Sequence, residues 1–394
     1  MDPQSVVNAL NQSLASLAAK PVGLHEPCFQ GKEWEYVKEC LDTGWVSTVG
    51  KFVDRFEDEL KNITGVEHAI AVVNGTAALH VSLILAGVER EDEVMLPALS
   101  FVAPANAIAY CGAVPHFIDS EEKTLGVDPA RLETYLSEIA EVRSGHCFNK
   151  QTGRLIRAVV AVHTFGHPVD MDLLKEVCDR FHLILIEDAA ESLGSYYKGK
   201  HTGHWGQSAS VSFNGNKIVT TGGGGAVLIR DAELAKKARH ITTTARRPHG
   251  WNFYHDQVGY NYRLPNINAA LGCAQLEQLP EFLKWKRSLA MAYQECFANV
   301  SAVRFFEEPE FAKSNYWLNV LLLAEADMNQ LNALIEATRD EGILTRPAWT
   351  LLCRLPMFQN CPRMNLDQAE NLELRIVNIP SSAGLGREAC ASNV

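Results

Sequence analysis

Short runs of aliphatic and β-branched residues alternate with helical patterns from about residue 68 onward. HAIAVV stands before NGTAALHVSLILAG, and EDEVMLP stands before a second helical pattern that ends at AYCG. Short apolar strands that alternate with helices predict βαβ units and a mostly parallel sheet. We expect further strands at AVPHFID, LIRAVVAVHTFG, HLILIEDAA, SASVSFN and GGAVLIR.

The pattern of apolar residues changes after about residue 275. LEQLPEFLKWKRSLAMAYQECF predicts one long amphipathic helix, which leads into strand-like NYWLNVLLLA and helical MNQLNALIEATRDEG. The N-terminal MDPQSVVNALNQSLASLAAK predicts a short amphipathic helix. We therefore expect a helical extension at residues 1–22, a large α/β domain at 23–275 and a small C-terminal α+β domain at 276–394.

The composition is that of a soluble globular protein. Of the 394 residues, 47% are hydrophobic and 21% are charged, and no apolar run is long enough to span a bilayer. The N-terminal segment lacks the basic and continuous apolar regions of a secretory signal. The net charge of -11 disfavours binding to nucleic acid or to an anionic membrane. We expect a cytoplasmic protein without either partner.

Neither the cysteines nor the histidines indicate a metal site. The ten cysteines stand singly and form no CxxC pair, a spacing typical of neither a zinc site nor a disulfide framework. His163 and His167 in HTFGHP have a spacing that could bind a metal. The glycine and proline of this segment, however, break the helix that such a pair needs. We expect reduced thiols and no metal.

Residues that follow the predicted strands are candidates for function, because open α/β sheets bind ligands at the carboxyl ends of their strands. Lys217 is one of them, since it follows SASVSFN and precedes a run of glycines. A lone lysine is most often a solvated surface charge. A partly buried lysine here could instead lose its proton easily and form a Schiff base with a carbonyl compound.

Asp188 closes the apolar run HLILIED, at the carboxyl end of a predicted buried strand. An aspartate at this position could be a turn residue or the N-cap of a helix. It could also hold a protonated ring nitrogen. Pyridoxal phosphate acts as an electron sink only while its ring nitrogen stays protonated, and a fixed carboxylate keeps it so.

The segment Asn74-Gly75-Thr76 lies between a predicted strand and a predicted helix. The free backbone N–H groups at such a helix N-terminus bind phosphate well. Simple N-capping by Asn74 or Thr76 explains the same residues. Ser212, five residues before Lys217, offers a hydroxyl for the same phosphate or a structural role in its strand.

Two further features are weaker on their own. Phe101 follows another strand, where its ring could lie flat on a cofactor or pack in the core. The GGGG run at residues 222–225 comes after the lysine, and so matches neither a Walker A loop nor a dinucleotide fingerprint. The run predicts a tight turn of permissive backbone.

Several segments, in order, resemble the DegT/DnrJ/EryC1/StrS family of sugar aminotransferases. They are NGTAALH, EDAAES, SFNGNK with TTGGGG, and GYNYRLPNINAALGCAQLEQL, and the similarity spans roughly residues 22–382. It implies the type I fold of aspartate aminotransferase, with a large, mostly parallel sheet of the seven-stranded type. It also implies pyridoxal 5'-phosphate as cofactor, its pyridoxamine 5'-phosphate form in the half-reaction, and a homodimer with shared active sites.

The resemblance also implies roles for individual residues. Lys217 would form the internal aldimine, Asp188 would pair with the pyridine nitrogen, and Phe101 would stack on the ring. The residues that would hold the phosphate are Gly75, Thr76 and Ser212, together with Asn261 of GYNYR from the neighbouring subunit. Glu191 stands where the family often has glutamine or histidine, so its contact to the cofactor is left open.

Within the family, segments such as WVSTVGKFVDRFE, TTTARRPH, KSNYWLN and TRPAWTLL resemble the branch of legionaminic acid and bacillosamine biosynthesis. These enzymes move the amino group of L-glutamate onto C4 of a nucleotide-linked 4-keto-6-deoxy-N-acetylhexosamine, and UDP is the expected nucleotide. A GDP-linked keto sugar, a 3-keto sugar or an eight-carbon sugar acid is the alternative substrate. The expected sugar contacts, for each of which a plain surface or loop role is the alternative, are Trp45, His163, Arg246, Asn319 and Arg346.

Three other functions compete with this interpretation. A sugar 3-dehydratase of the same family would carry histidine in place of Lys217. A nicotinamide-dependent sugar oxidoreductase would need a glycine-rich loop after the first strand, which this sequence lacks. A non-catalytic sugar-binding protein with the same fold would not need Lys217, Asp188 and Ser212 together.

Overall fold

The structure is a computed structural model that describes residues 2–14 and 20–392. The helices are α1 Pro3–Leu14, α2 Glu33–Thr43, α3 Lys51–Thr64, α4 Gly75–Leu85, α5 Ala103–Tyr110, α6 Pro129–Ile139, α7 Met171–Arg180, α8 Ala232–Thr242, α9 Asn266–Phe297, α10 Met328–Asp340, α11 Asp367–Glu373 and α12 Ala383–Ser392. The strands are β1 His68–Val72, β2 Glu93–Pro97, β3 Val114–Ile118, β4 Ala140–Arg143, β5 His146–Asn149, β6 Leu155–Val162, β7 Ile184–Asp188, β8 Tyr196–Tyr197, β9 Lys200–His201, β10 Ser208–Ser212, β11 Gly225–Ile229, β12 Val303–Phe305, β13 Ala312–Lys313, β14 Asn319–Leu323, β15 Arg346–Pro347 and β16 Ile376–Ile379.

The large sheet is mostly parallel, which confirms the predicted α/β class. Its strand order is β1-β11-β10-β7-β6-β2-β3, and the hairpin β4–β5 adds to it through β6. The pairs β10–β7, β7–β6, β6–β2 and β2–β3 are parallel, whereas β11 is antiparallel to both of its neighbours. The chain passes from β10 to β11 without a crossover helix, and such a direct connection joins antiparallel strands.

Every apolar run that predicted a strand of the large sheet contains one, namely β1, β2, β3, β6, β7, β10 and β11. These strands are almost wholly buried, because helices cover the sheet on its faces. The hairpin β4–β5 escaped prediction. Its first strand is largely exposed and has no apolar run that would mark it.

A second, antiparallel sheet follows helix α9, with strand order β12-β14-β16-β15. Its core joins the sheet to α1, α9 and α10 through apolar side chains such as Val6, Leu10, Tyr293 and Leu321. Helix α1 lies within the predicted N-terminal helix, whose residues 15–19 fall outside the described residues. The two helices predicted after residue 275 correspond to α9 and α10. Helix α9 runs through residue 275, so the domain boundary at 275/276 remains a proposal.

Among the described residues, no helix has both the length and the apolar character that a membrane crossing requires.

The parallel strands bring their carboxyl ends to one edge of the large sheet. Strands β6, β7 and β10 end there at Val162, Asp188 and Ser212. Helix α4 begins at the same edge, where the side chain of Asn74 accepts a hydrogen bond of 2.7 Å from the N–H of Ala77. Four chain segments that are distant in sequence therefore meet around one space.

Candidate active site

A cavity of about 280 Å³ opens at this edge of the sheet. Such edges are where open α/β sheets bind their ligands. Of the residues that the sequence singled out, the cavity wall contains Gly75, Thr76, Phe101, Asp188, Glu191, Ser212, Lys217 and Arg346. The structure thus brings together most of the expected cofactor residues.

The N-terminus of helix α4 forms one side of the cavity. Asn74 caps the N–H of Ala77, and the N–H groups of Gly75 and Thr76 find no partner among the described residues. A Cβ atom on Gly75 would lie 2.9 Å from the Cβ of Ser212, so only glycine allows this close approach. Backbone N–H groups and the hydroxyls of Thr76 and Ser212 therefore border one small volume that suits a phosphate.

The glycine run packs against the same helix end. Gly222 has a φ of +78°, as expected for a tight turn. A Cβ atom on Gly225, where β11 begins, would lie 2.5 Å from the carbonyl carbon of Asn74. The glycine run therefore forms a tight turn and allows β11 to pack closely against the start of α4.

Asp188 is buried, with a relative exposure of 6%. Its Oδ1 accepts hydrogen bonds from the N–H of Ala190 (3.1 Å) and from the hydroxyl of Ser210 (3.2 Å). Its Oδ2 accepts none from a described residue. Burial raises the pKa of Asp188, while these hydrogen bonds and the charge of Lys217 act in the opposite direction. A desolvated carboxylate with one free oxygen is suited to bind a cationic N–H group.

The Nζ atom of Lys217 lies 3.4 Å from Oε1 of Glu191 and 3.9 Å from the ring centroid of Trp317. The other carboxylate oxygen of Glu191 accepts a 2.8 Å hydrogen bond from the N–H of Phe165. Burial raises the pKa of Glu191, and Lys217 opposes this shift. Glu191 therefore contacts the lysine directly, whereas its contact to the cofactor stays a prediction.

Aromatic rings and one cation line the outer part of the cavity. Phe101 is 52% exposed, and its ring centroid lies 6.3 Å from that of Trp349. Trp349 also stacks on Phe165 at 4.8 Å. The guanidinium of Arg346 forms no hydrogen bond or ion pair with any other described residue, so it is available to an anionic ligand.

Two expected sugar contacts lie in the protein core instead of the cavity wall. His163 is fully buried, and its Nε2 donates a 3.0 Å hydrogen bond to Glu187 while its Nδ1 accepts the N–H of Val169. Asn319 on β14 is also fully buried, and both its backbone N–H and its side-chain NH₂ group donate hydrogen bonds to the hydroxyl of Ser381. Neither side chain borders the cavity, because each is held by a buried polar partner.

Three other predicted residues lie on the surface of this chain, away from the cavity wall. Trp45 is 57% exposed and borders a separate cavity of about 350 Å³, beside Asn266. Arg246 lies 5.2 Å from the ring centroid of Phe253 in an exposed segment. Asn261 is exposed and pairs through its backbone with residue 243. None of the three borders the cavity of this chain.

Sequence reasoning missed the two tryptophans of the cavity, Trp317 and Trp349. Both stand in segments that support the family resemblance, KSNYWLN and TRPAWTLL, so the one tryptophan in each segment was the available signal. It also missed Glu187. This fully buried carboxylate accepts the N–H groups of Gly203, Trp205 and Gly206 and thereby fixes the loop after β9.

Within the described ranges, no cluster of three or more histidine, cysteine, aspartate or glutamate residues is arranged to hold a metal ion. His167 of HTFGHP is fully buried between the rings of Phe306 and Tyr316, at centroid distances of 4.6 and 5.3 Å. The cysteines that the structure describes are free thiols.

The model of the DegT/DnrJ/EryC1/StrS aminotransferase family matches residues 27–393. EpsN of Bacillus subtilis (strain 168) is 39% identical over 341 residues, which are 86% of this chain and 84% of EpsN. GDP-perosamine synthase of Escherichia coli O157:H7 is 36% identical over 370 residues, which are 94% of this chain and 95% of that protein.

A solved structure of DesI, in the presence of its TDP-sugar product, is similar throughout. Its TM-score is 0.80 at 26% identity, and the match covers 96% of this chain and 95% of DesI.

Proposed function

Since the chain belongs to the DegT/DnrJ/EryC1/StrS aminotransferase family, we propose that this sugar aminotransferase moves the amino group of L-glutamate onto C4 of a nucleotide-linked 4-keto-6-deoxyhexose. Its cofactor is pyridoxal 5'-phosphate, with pyridoxamine 5'-phosphate in the half-reaction. One observation carries the proposal. The amine of Lys217, the free oxygen of Asp188 and the N-terminus of α4 border the same cavity.

The residues of this cavity fit the cofactor. The N–H groups of Gly75 and Thr76 and the hydroxyl of Ser212 are suited to its phosphate. The free oxygen of Asp188 is suited to the ring nitrogen, and the exposed ring of Phe101 to one face of the ring. When bound, the cofactor supplies an electron sink for the bond changes at the amine-bearing carbon.

In this proposal Lys217 holds the cofactor covalently and then, once released, moves the proton at the reacting carbon. The contact with Glu191 and the face of Trp317 hold the amine in one place while it does so. Asp188 keeps the ring nitrogen protonated because its carboxylate is shielded from water.

Arg346 is suited to a carboxylate of L-glutamate or to a substrate phosphate, because its guanidinium has no partner among the described residues. A planar guanidinium binds either anion through paired hydrogen bonds. Trp349 and Phe101 border the same opening and offer apolar faces to a sugar ring.

We also propose a homodimer in which each subunit completes the site of the other. Several large apolar residues near Arg246 and Asn261 are strongly exposed, namely Trp251 (86%), Phe253 (73%), Tyr254 (57%) and Val258 (82%). Clustered exposed apolar side chains are typical of a protein interface. In the dimer, Asn261 would reach the cofactor phosphate of the partner, and Trp45 and Arg246 would contact the sugar.

The first candidate sugar is a UDP-linked 4-keto-6-deoxy-N-acetylhexosamine, in bacillosamine-type or legionaminic-type biosynthesis. The segments KSNYWLN and TRPAWTLL support it through their resemblance to that branch. A GDP-linked keto sugar is the second candidate, and it is favoured by the relative that is named GDP-perosamine synthase.

The visible spectrum of the purified protein tests the proposal. We expect a band at about 400–430 nm that bleaches with L-glutamate and returns when the correct keto sugar is added. The UDP-linked and GDP-linked 4-keto sugars are added in parallel, so the return of the band identifies the nucleotide. Lys217→Ala removes the band, whereas Lys236→Ala on the surface of α8 is the matched control and keeps it.

The same experiment separates the competing functions. A protein that never shows the band with added pyridoxal phosphate is not an aminotransferase, and a non-catalytic sugar-binding protein would bind the sugar without bleaching. Bleaching with L-glutamate and no recovery with either sugar would keep the enzyme class and reject both candidate substrates.

A further inference from the structure

Lys286 on helix α9 is a fully buried lysine outside the cavity wall. Its Nζ donates hydrogen bonds to the carbonyl oxygens of Trp317 (3.2 Å) and Ser381, and lies 3.1 Å from Nε2 of His25. Among the described residues no carboxylate forms an ion pair with it. Burial lowers the pKa of Lys286 to about 7. Burying an amine without a counter-charge is costly, so its contacts need an explanation beyond packing.

The contacts of Lys286 tie separate segments to one tryptophan. Helix α9 supplies Lys286, the N-terminal segment supplies His25, and the loop after β16 supplies Ser381. All three meet at the Nζ atom of Lys286, which also binds the carbonyl of Trp317, and the ring of His25 lies 6.4 Å from that of Trp317.

Trp317 in turn positions Lys217 in two ways. Its indole N–H donates a 2.8 Å hydrogen bond to the carbonyl of Asn216, the residue directly before Lys217. The face of its ring lies 3.9 Å from the Nζ atom of Lys217. A continuous chain of contacts therefore leads from Lys286 through Trp317 to the reactive amine.

We propose that Lys286 is a positioning residue, which acts through Trp317 to hold the amine of Lys217 in its reactive orientation. The inference rests on the proposed role of Lys217. It predicts that loss of the Lys286 amine slows reactions of Lys217 without removing any group that contacts the cofactor or the sugar.

The test follows by absorbance how fast cofactor-free protein with added pyridoxal phosphate develops the band at about 400–430 nm, because formation of this band requires the amine of Lys217. We expect Lys286→Met to lower the rate constant about tenfold, since the amine loses part of its orientation. Lys284→Met is the matched control on the exposed face of the same helix and leaves the rate unchanged. The rate constant of the L-glutamate half-reaction should fall by a similar factor.

A double-mutant cycle then asks whether Lys286 acts through Trp317. Trp317→Leu should slow uptake by itself, and adding Lys286→Met should slow it no further. Effects that multiply, or a Lys286→Met protein with lower thermal stability and unchanged uptake, would overturn the proposal. If Lys286→Met does not fold, Lys286→Gln enters the same cycle with an intermediate loss expected. Failure of the proposed function looks different, because the unmutated protein then takes up no cofactor or turns over no sugar.

Discussion

The imidazole of His163 donates a 3.0 Å hydrogen bond from Nε2 to Glu187, and both side chains are wholly buried. Burial disfavours the Glu187 anion, but the hydrogen bonds from His163, Gly203 and Gly206 outweigh it and lower the pKa of Glu187. The buried pair therefore fixes Glu187, the residue directly before Asp188 at the end of β7. We expect this hydrogen bond to stabilise the end of β7.

Glu187→Gln should destabilise the protein by about 2–4 kcal/mol, because an amide NH₂ group would face backbone N–H donors that now meet a carboxylate. Chemical denaturation of the cofactor-free protein measures the effect. Glu233→Gln removes a carboxylate that is 80% exposed and serves as the control. Equal stability of both variants would show that the buried carboxylate contributes nothing.

Asp188→Asn should lower turnover about 10²-fold, since a buried hydrogen bond to a charged group contributes up to ~3 kcal/mol. The cofactor should still bind, because its phosphate contacts are untouched, so the visible band is measured together with the rate. Ser210→Ala removes one hydrogen bond to Oδ1 and should cost less than about tenfold. Unchanged turnover in Asp188→Asn would remove this carboxylate from the mechanism.

Hybrid dimers test whether Asn261 completes the site of the partner subunit. Subunits with Lys217→Ala and subunits with Asn261→Ala are each expected to form inactive or weakly active homodimers. A hybrid of the two would contain one intact site if the sites are shared, and should recover about half of the normal turnover per dimer. If both residues belong to the same chain's site, each site of the hybrid carries one defect and activity does not return.

The strand-end rule predicted from the sequence which residues meet at the candidate site, because parallel strands bring their last residues to one edge of the sheet. The rule could not predict which of these side chains line the cavity and which are buried in the core. Glu187 and Asp188 are consecutive in β7, and consecutive strand residues point to opposite faces. Asp188 therefore meets the cavity, while Glu187 meets His163, the residue that the sequence suggested as a sugar contact.

The tryptophans lay beyond sequence reasoning for a different reason. Trp317 is separated from Asn216 by 101 positions, and no periodicity in either segment indicates that they touch. Such contacts depend on how the second sheet packs against the first. Lys286 was hidden in the same way, since the helix pattern alone gives no sign that its amine is buried.

The last prediction concerns pH and the fully buried His167. Burial, with a smaller effect of Arg287, lowers the pKa of His167 from 6.5 to about 3. The unfolded chain therefore takes up a proton below pH 6.5, while the folded protein does not until far lower pH. This group's contribution is fully present above pH 6.5 and is lost as the pH falls, by about 2 kcal/mol between pH 6.5 and pH 5.

His167→Leu should remove this part of the pH dependence, because leucine cannot take up the proton in either state. Denaturation of cofactor-free protein at pH 7 and pH 5 gives the difference for each variant. His146→Leu in the exposed part of β5 is the control and should keep the slope of the unmutated protein. The same loss of stability at pH 5 in all three proteins would place the acid sensitivity in other groups, of which His201 is the next candidate, because burial lowers its pKa to about 4.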